Sequence, residues 1–203
     1  FAARAASAIA AGNAVIVKPA DQTPLSALRL AEIWRDCTPP GLFSVVTGGR
    51  ATAEALVRHP RVAKVALVGS IEAGRAILHG CADTIKPAAL ELGGKNALIG
   101  CADADPVHVA EGAVRGMNFQ WAGQSCGSTS RVFLHSSIHD RALAEIAEQV
   151  ARFRPGLPED EQATMGPMII EHQLNRALAF IEEPKDEGAC LVTGGKRPDD
   201  PTL

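Results

Sequence analysis

No apolar run in the sequence reaches the roughly 18 residues that a membrane-spanning helix needs. The Ala-rich opening, residues 1–11, carries an arginine and no cleavage-type pattern of a secretion signal. These absences predict a soluble, cytoplasmic chain with no membrane partner. Charge of one sign is also lacking. A net charge of −3 with scattered lysines and arginines offers no basic field, which excludes nucleic acid as the expected partner. The five cysteines, at 37, 81, 101, 126 and 190, include no CxxC pair, so neither a zinc cage nor a disulfide framework is indicated. The six histidines show no metal-ligating spacing and no pairing with a cysteine, and no metal site is expected.

What is present is globular composition, 46% apolar and 21% charged over 203 residues, enough to bury a real core. The chain opens on Phe1 and stops in a polar run at 194–201 (GGKRPDDP), which reads as a loop and predicts a segment of a longer protein.

Along the chain, strand and helix patterns alternate. Residues 14–18 (AVIVK) form a short apolar run before Pro19, as a buried strand does. A helix is predicted to follow, with Thr23 as its cap, Pro24 at its first position, and Leu30, Ile33, Trp34 and Cys37 on one apolar face. Further strands are expected at 42–47 and 62–68, with helices at 51–58 and from about 71 to 81. Apolar strands too continuous for a wet face, joined by helical crossovers, indicate a parallel sheet covered on both sides, in a doubly wound nucleotide-binding architecture. After LELGGK at 90–95 the rhythm changes. A helix is predicted at 106–118, capped by Asp105 and with Ala110, Ala113, Val114 and Met117 on one face. A loop (FQWAGQSCGST, 119–129), a strand at 130–135 and a helix from about 138 to 152 follow. The domain boundary is expected at 92, dividing 1–92 from 93–203.

Four places carry chemistry. Cys126 lies among Gly123, Ser125, Gly127 and Ser128, small neighbours that leave a sulfur open and let backbone N–H groups approach its ligand. The bland alternative is a small buried cysteine. Glu91 sits between Leu90 and Leu92 just before Gly93-Gly94, where burial is expected to raise its pKa and suit it to general-base work; otherwise it is a solvated strand-end residue or pairs with Lys95. Gly69, Ser70 and Gly74 mark a strand-to-helix turn whose free N–H groups suit a phosphate, or serve geometry alone. Lys18 and Asp21 stand past the carboxyl end of the first strand, where they can bond ribose hydroxyls or form a solvated pair.

Taken in order, VIVKPADQTPL (15–25), VGSIEAGR (68–75), LELGGKNA (90–97) and GQSCGSTSR (123–131) resemble the aldehyde dehydrogenase superfamily. The resemblance implies a Rossmann-like, doubly wound parallel sheet as part of a coenzyme-binding domain over 1–92, followed by part of an α/β catalytic domain over 93–203. It implies Cys126 as the thiolate that attacks an aldehyde and Glu91 as the base that activates water against the thioester. Lys18 matches the lysine at the adenosine ribose, and Gly69, Ser70 and Gly74 match the phosphate turn. Asp21 replaces the usual glutamate and points to NAD, with NADP possible. The implied partners are a small aldehyde and further copies of the chain, as homodimer or homotetramer. The resemblance also implies an upstream Pro-Trp-Asn segment and a downstream Glu-containing segment, neither within these 203 residues. Trp121 stands for a common asparagine, and Ser128 for a usually smaller or amide residue. Two rival readings are a catalytically incomplete fold fragment with residual nucleotide binding, and a cofactor-free cysteine hydrolase or acyltransferase.

Overall fold

The computed structural model describes residues 2–198 and 200, so Asp199 and Pro201 of the terminal polar run lie outside the described residues. The chain divides into two compact units, Phe1–Leu92 and Gly93–Leu203.

The first unit runs α1 (Ala2–Ala10), β1 (Val15–Val17), α2 (Leu25–Cys37), β2 (Phe43–Val45), α3 (Arg50–Arg58), β3 (Val65–Gly69), α4 (Ile71–Ala82) and β4 (Ala88–Leu92). β1 pairs parallel with β2, Val15 opposite Phe43, and β3 pairs parallel with β4, Val65 opposite Ala88. A parallel partner cannot be reached by a hairpin, and α2 and α4 are the crossovers that bring each strand back alongside. This is the Rossmann-like α/β class read from the sequence.

The expectation that no strand has a wet face is corrected. Successive side chains of a strand point to opposite faces. Burial alternates accordingly along β1 and the start of β3, and Ile16 and Val68 are 51% and 61% exposed. Two details of α2 also differ. Thr23 makes no capping hydrogen bond, its backbone N–H being engaged with Ala20 O in the preceding turn. The inward face is Ala27, Leu30, Ala31 and Trp34, whereas Ile33 and Cys37 are exposed. Trp34 sets that rotation: its ring meets Phe43 of β2 at 4.9 Å between centroids, and a large aromatic contact outweighs a small thiol.

Two polar contacts finish this unit. Ser70 caps α4, its Oγ accepting from Ala73 N–H at 3.2 Å. Lys86, only 7% exposed, donates from Nζ to Val57 O at 2.6 Å and His59 O at 2.9 Å, closing the carboxyl end of α3. A cation there satisfies orphan carbonyls and complements the helix dipole.

The second unit contains β5 (Ala97–Gly100), α5 (Pro106–Gly116), a 3-10 turn at Phe119–Trp121, β6 (Arg131–Leu134), α6 (His139–Val150) and α7 (Glu171–Asp186). β5 and α7 add to the elements expected from the pattern. β5 and β6 are parallel, Ala97 opposite Arg131. Asp105 caps α5 as expected, accepting from Val107 N–H at 2.9 Å with Pro106 in the first turn. The buried residues of α5 are Ala110, Ala113 and Val114, and those of α6 reduce to Ala142; these small side chains let the two helices pack closely. No helix among the described residues is long and apolar enough to cross a membrane.

Candidate active site

The loop between α5 and β6 is bent by three departures into left-handed backbone: Asn118 at φ 56°, Ala122 at φ 52° and Gly123 at φ 68°. Glycine takes this region freely and asparagine tolerates it, but Ala122 stores about 1–2 kcal/mol there. Phe119 anchors the bend against Phe153, ring centroids 5.1 Å apart. The far side is tied to the end of α5: buried Ser128 donates from Oγ to Met117 O at 2.8 Å, and Thr129 N–H donates to Gly116 O at 3.0 Å. A Cβ on Gly116 would collide with the Thr129 side chain, so only glycine allows the loop to lie this close to the helix.

Cys126 sits at the crest, exposed, with a free thiol. The small buried cysteine is thereby excluded for this position. Its backbone carbonyl accepts from Asn96 Nδ2 at 2.8 Å, and the same nitrogen donates to Ser128 O at 3.0 Å. Gly127 N–H is taken by Ser125 Oγ at 3.2 Å, whereas Cys126 N–H finds no acceptor among the described residues. An open thiol therefore lies beside an unused backbone donor, the pairing that suits a nucleophile whose substrate develops an oxyanion.

Glu91 occupies the outward position near the end of β4, opposite Val68 of β3. Its side chain is 60% exposed and pairs with Arg4 of α1 at 3.6 Å. The burial expected of Glu91 is absent. A solvated carboxylate has water at hand.

Past β1, Lys18 Nζ donates to Pro19 O at 2.7 Å, Gly48 O at 2.8 Å and Asp21 Oδ1 at 3.0 Å. All three ammonium hydrogens are engaged within the protein. Asp21 is half exposed and lines a pocket of about 280 Å³ together with Pro19, Pro24, Gly48 and Gly49 among others. Gly48 has φ 138°, and a Cβ there would strike Thr52, so the turn must be bare.

At the third place Ser70 caps α4 while Ile71 N–H has no acceptor among the described residues. Gly74 lies in the first turn and a half of α4, within the helix expected from about residue 71. It is buried there, and a Cβ would meet Leu92 Cδ2 at 3.0 Å, so its bareness lets the helix pack closely on β4.

The model for the aldehyde dehydrogenase family matches residues 1–202. The chain belongs to the aldehyde dehydrogenase family. Aldehyde dehydrogenase tropH of Talaromyces stipitatus is 51% identical over 199 residues, which cover 98% of this chain and 39% of that protein. Betaine aldehyde dehydrogenase from Staphylococcus aureus, solved in complex with NAD+, has a TM-score of 0.86 at 32% identity, over 94% of this chain and 38% of its own. An aldehyde dehydrogenase from Bacillus cereus, solved as an NAD+ complex, has a TM-score of 0.86 at 34% identity, over 92% and 38%. The chain thus spans about 40% of the length of the family members it matches.

Sequence reasoning within this family motif missed Asn96. Its only signal is an amide directly after LELGGK, and nothing local links it to a cysteine 30 residues later. Ser128 drew notice as a departure from the family, but its bond to Met117 O is a tertiary fact.

Proposed function

We propose that the protein carrying this chain oxidises an aldehyde to a carboxylic acid with NAD, through a covalent intermediate on Cys126. The observation that carries the reading is the exposed Cys126 thiol beside its own unpaired N–H, on a loop whose carbonyls are held from below.

In this reading Cys126 Sγ, as thiolate, adds to the aldehyde carbon; a C–S bond forms and the carbonyl π pair moves to oxygen. Cys126 N–H is the donor for that oxygen. A nicotinamide bound here would supply the two-electron acceptor for the hydride, the oxyanion re-forming its C=O as the C–H bond breaks, and Cys126 would be left holding the acyl group as a thioester. Glu91 then takes a proton from water as the water oxygen adds to the thioester carbon. Collapse breaks the C–S bond, returns the thiolate and releases the acid, dividing one hard oxidation into two easier steps.

The residues present fit part of a dinucleotide. Asp21, lining the pocket at the bare Gly48-Gly49 turn with only Oδ1 bonded to Lys18, is an acceptor for ribose hydroxyls, and its charge opposes a 2′-phosphate. Lys18 holds that turn in place. Ser70 and the unpaired Ile71 N–H stand where a phosphate meets a helix start. NAD+ in the two solved relatives supports the same assignment. On this basis residues 1–92 are part of a coenzyme-binding domain and 93–203 part of a catalytic domain. The remaining assignments are a cytoplasmic enzyme acting on a small aldehyde as a homodimer or homotetramer.

The test is Cys126→Ala in the full-length protein, followed by NADH fluorescence with a panel of aldehydes. Turnover is expected to vanish; NADH formation near the parent rate would defeat the assignment.

A further inference from the structure

We propose that Asn96 is the positioning residue of the nucleophile loop, holding Cys126 in reacting geometry through the backbone; the inference rests on Cys126 being the nucleophile. The side-chain amide of Asn96 donates to Cys126 O at 2.8 Å and to Ser128 O at 3.0 Å. Both partners are acceptors only, so the amide is fixed with its NH2 edge toward the loop. The two carbonyls bracket Gly127, the residue with the greatest backbone freedom in this stretch. Cys126 itself contributes no side-chain anchor, being exposed and unbonded. Without Asn96, residues 125–127 would keep only bonds to near neighbours in the loop: Ser125 N–H to Gly123 O at 2.9 Å, Ser128 N–H to Ser125 O at 3.2 Å and Gly127 N–H to Ser125 Oγ at 3.2 Å.

Asn96 is itself well held. Its carbonyl accepts from Arg131 N–H at 3.1 Å, the start of the β5–β6 ladder. The carbonyl of the preceding Lys95 accepts from Arg131 Nε at 3.0 Å and Nη2 at 2.6 Å. The Asn96 amide thus ties the nucleophile loop to the end of the β5–β6 pair, while Ser128 and Thr129 tie it to the end of α5. Misplacing a reacting atom by about 1 Å can cost on the order of a hundredfold in rate, so a bond that sets loop position acts on turnover more than on substrate affinity.

Charge separates this role from space filling. Asp is isosteric with Asn, but as a carboxylate it has no donor for either carbonyl and places a negative charge beside a loop that must carry a thiolate. A residue that only fills space tolerates Asp better than Ala; a donor clamp tolerates it worse.

The experiment compares Asn96→Ala and Asn96→Asp with the parent in the full-length protein. It measures kcat and KM for aldehyde oxidation, thermal melting, and the rate at which iodoacetamide alkylates Cys126, with exposed Cys37 as the reference in the same molecule. The expected result is a kcat loss of about ten- to a hundredfold in Asn96→Ala with KM little changed, and a larger loss in Asn96→Asp. Cys126 alkylation is expected to slow in the same order while Cys37 stays constant. Parent-like kcat and alkylation, a loss shared equally by kcat and KM, or Asp performing as well as Asn would each overturn the proposal. If Asn96→Asp fails to fold, the kcat and KM of Asn96→Ala decide. If the parent protein oxidises no aldehyde, the proposed function falls, while the alkylation of Cys126 relative to Cys37 still decides the clamp.

Discussion

The ammonium of Lys18 lies 2.8 Å from the carbonyl of Gly48, a residue 30 positions later, and this bond joins the end of β1 to the turn after β2. With its other two hydrogens on Pro19 O and Asp21 Oδ1, Lys18 holds the pocket's shape and Asp21 presents its charge. Asp21→Ser is therefore expected to relax cofactor choice. The ratio of kcat/KM for NADP to that for NAD should rise about tenfold, or about 1.4 kcal/mol, as read from steady-state rates with each cofactor. An unchanged ratio would show that Asp21 does not meet the 2′ position.

Glu91 is exposed, with water available, and its expected role falls after the covalent step. Glu91→Gln should keep a burst of NADH and slow the subsequent steady rate on the order of a hundredfold or more, the usual contribution of a general base. Stopped-flow fluorescence distinguishes the two phases. A burst and steady rate both equal to the parent's would remove Glu91 from the mechanism.

Gly116 sets two effects against each other. Alanine is the better helix former by about 1 kcal/mol, but a Cβ here meets the Thr129 side chain, and overpacking costs about 1–3 kcal/mol. The collision outweighs the gain in helix propensity. Gly116→Ala is expected to lower the urea midpoint and, by shifting Thr129, to reduce turnover; a stabilised variant with full activity would show that Thr129 yields to the added methyl without cost.

Lys86 is a test of structure alone. Lys86→Met keeps the aliphatic stem but leaves Val57 O and His59 O without their donor. Charged hydrogen bonds of this kind contribute about 1.5–3 kcal/mol each. The relief of desolvating a cation offsets part of that loss. A net loss of about 2 kcal/mol is expected in chemical unfolding, with the cofactor's Kd little changed.

Legibility follows distance along the chain. Asp105 and Pro106 announce the start of α5 because cap and helix are adjacent, and Ala110, Ala113 and Val114 declare its buried face by period. The face of α2 is rotated from the one its period suggests, since the Trp34–Phe43 contact that turns it joins two elements. The exposure of Glu91 is equally hidden: its neighbours Leu90 and Leu92 suggest burial, but cover comes from tertiary packing. Gly74 reads as the last glycine of the turn motif, whereas its close approach to Leu92 joins two elements and is not local. Cys126 is readable as a candidate from its small neighbours, whereas the amide that holds its carbonyl is not.

Each of the six described strands has one partner, in the pairs β1–β2, β3–β4 and β5–β6. Among the described residues each strand therefore keeps an unpaired row of N–H and C=O groups on its other edge, near exposed apolar side chains such as Ile16, Val68, Ile99 and Phe133. Such edges recruit strands from neighbouring molecules. Their shortness, three to five residues, limits what any one such contact can hold.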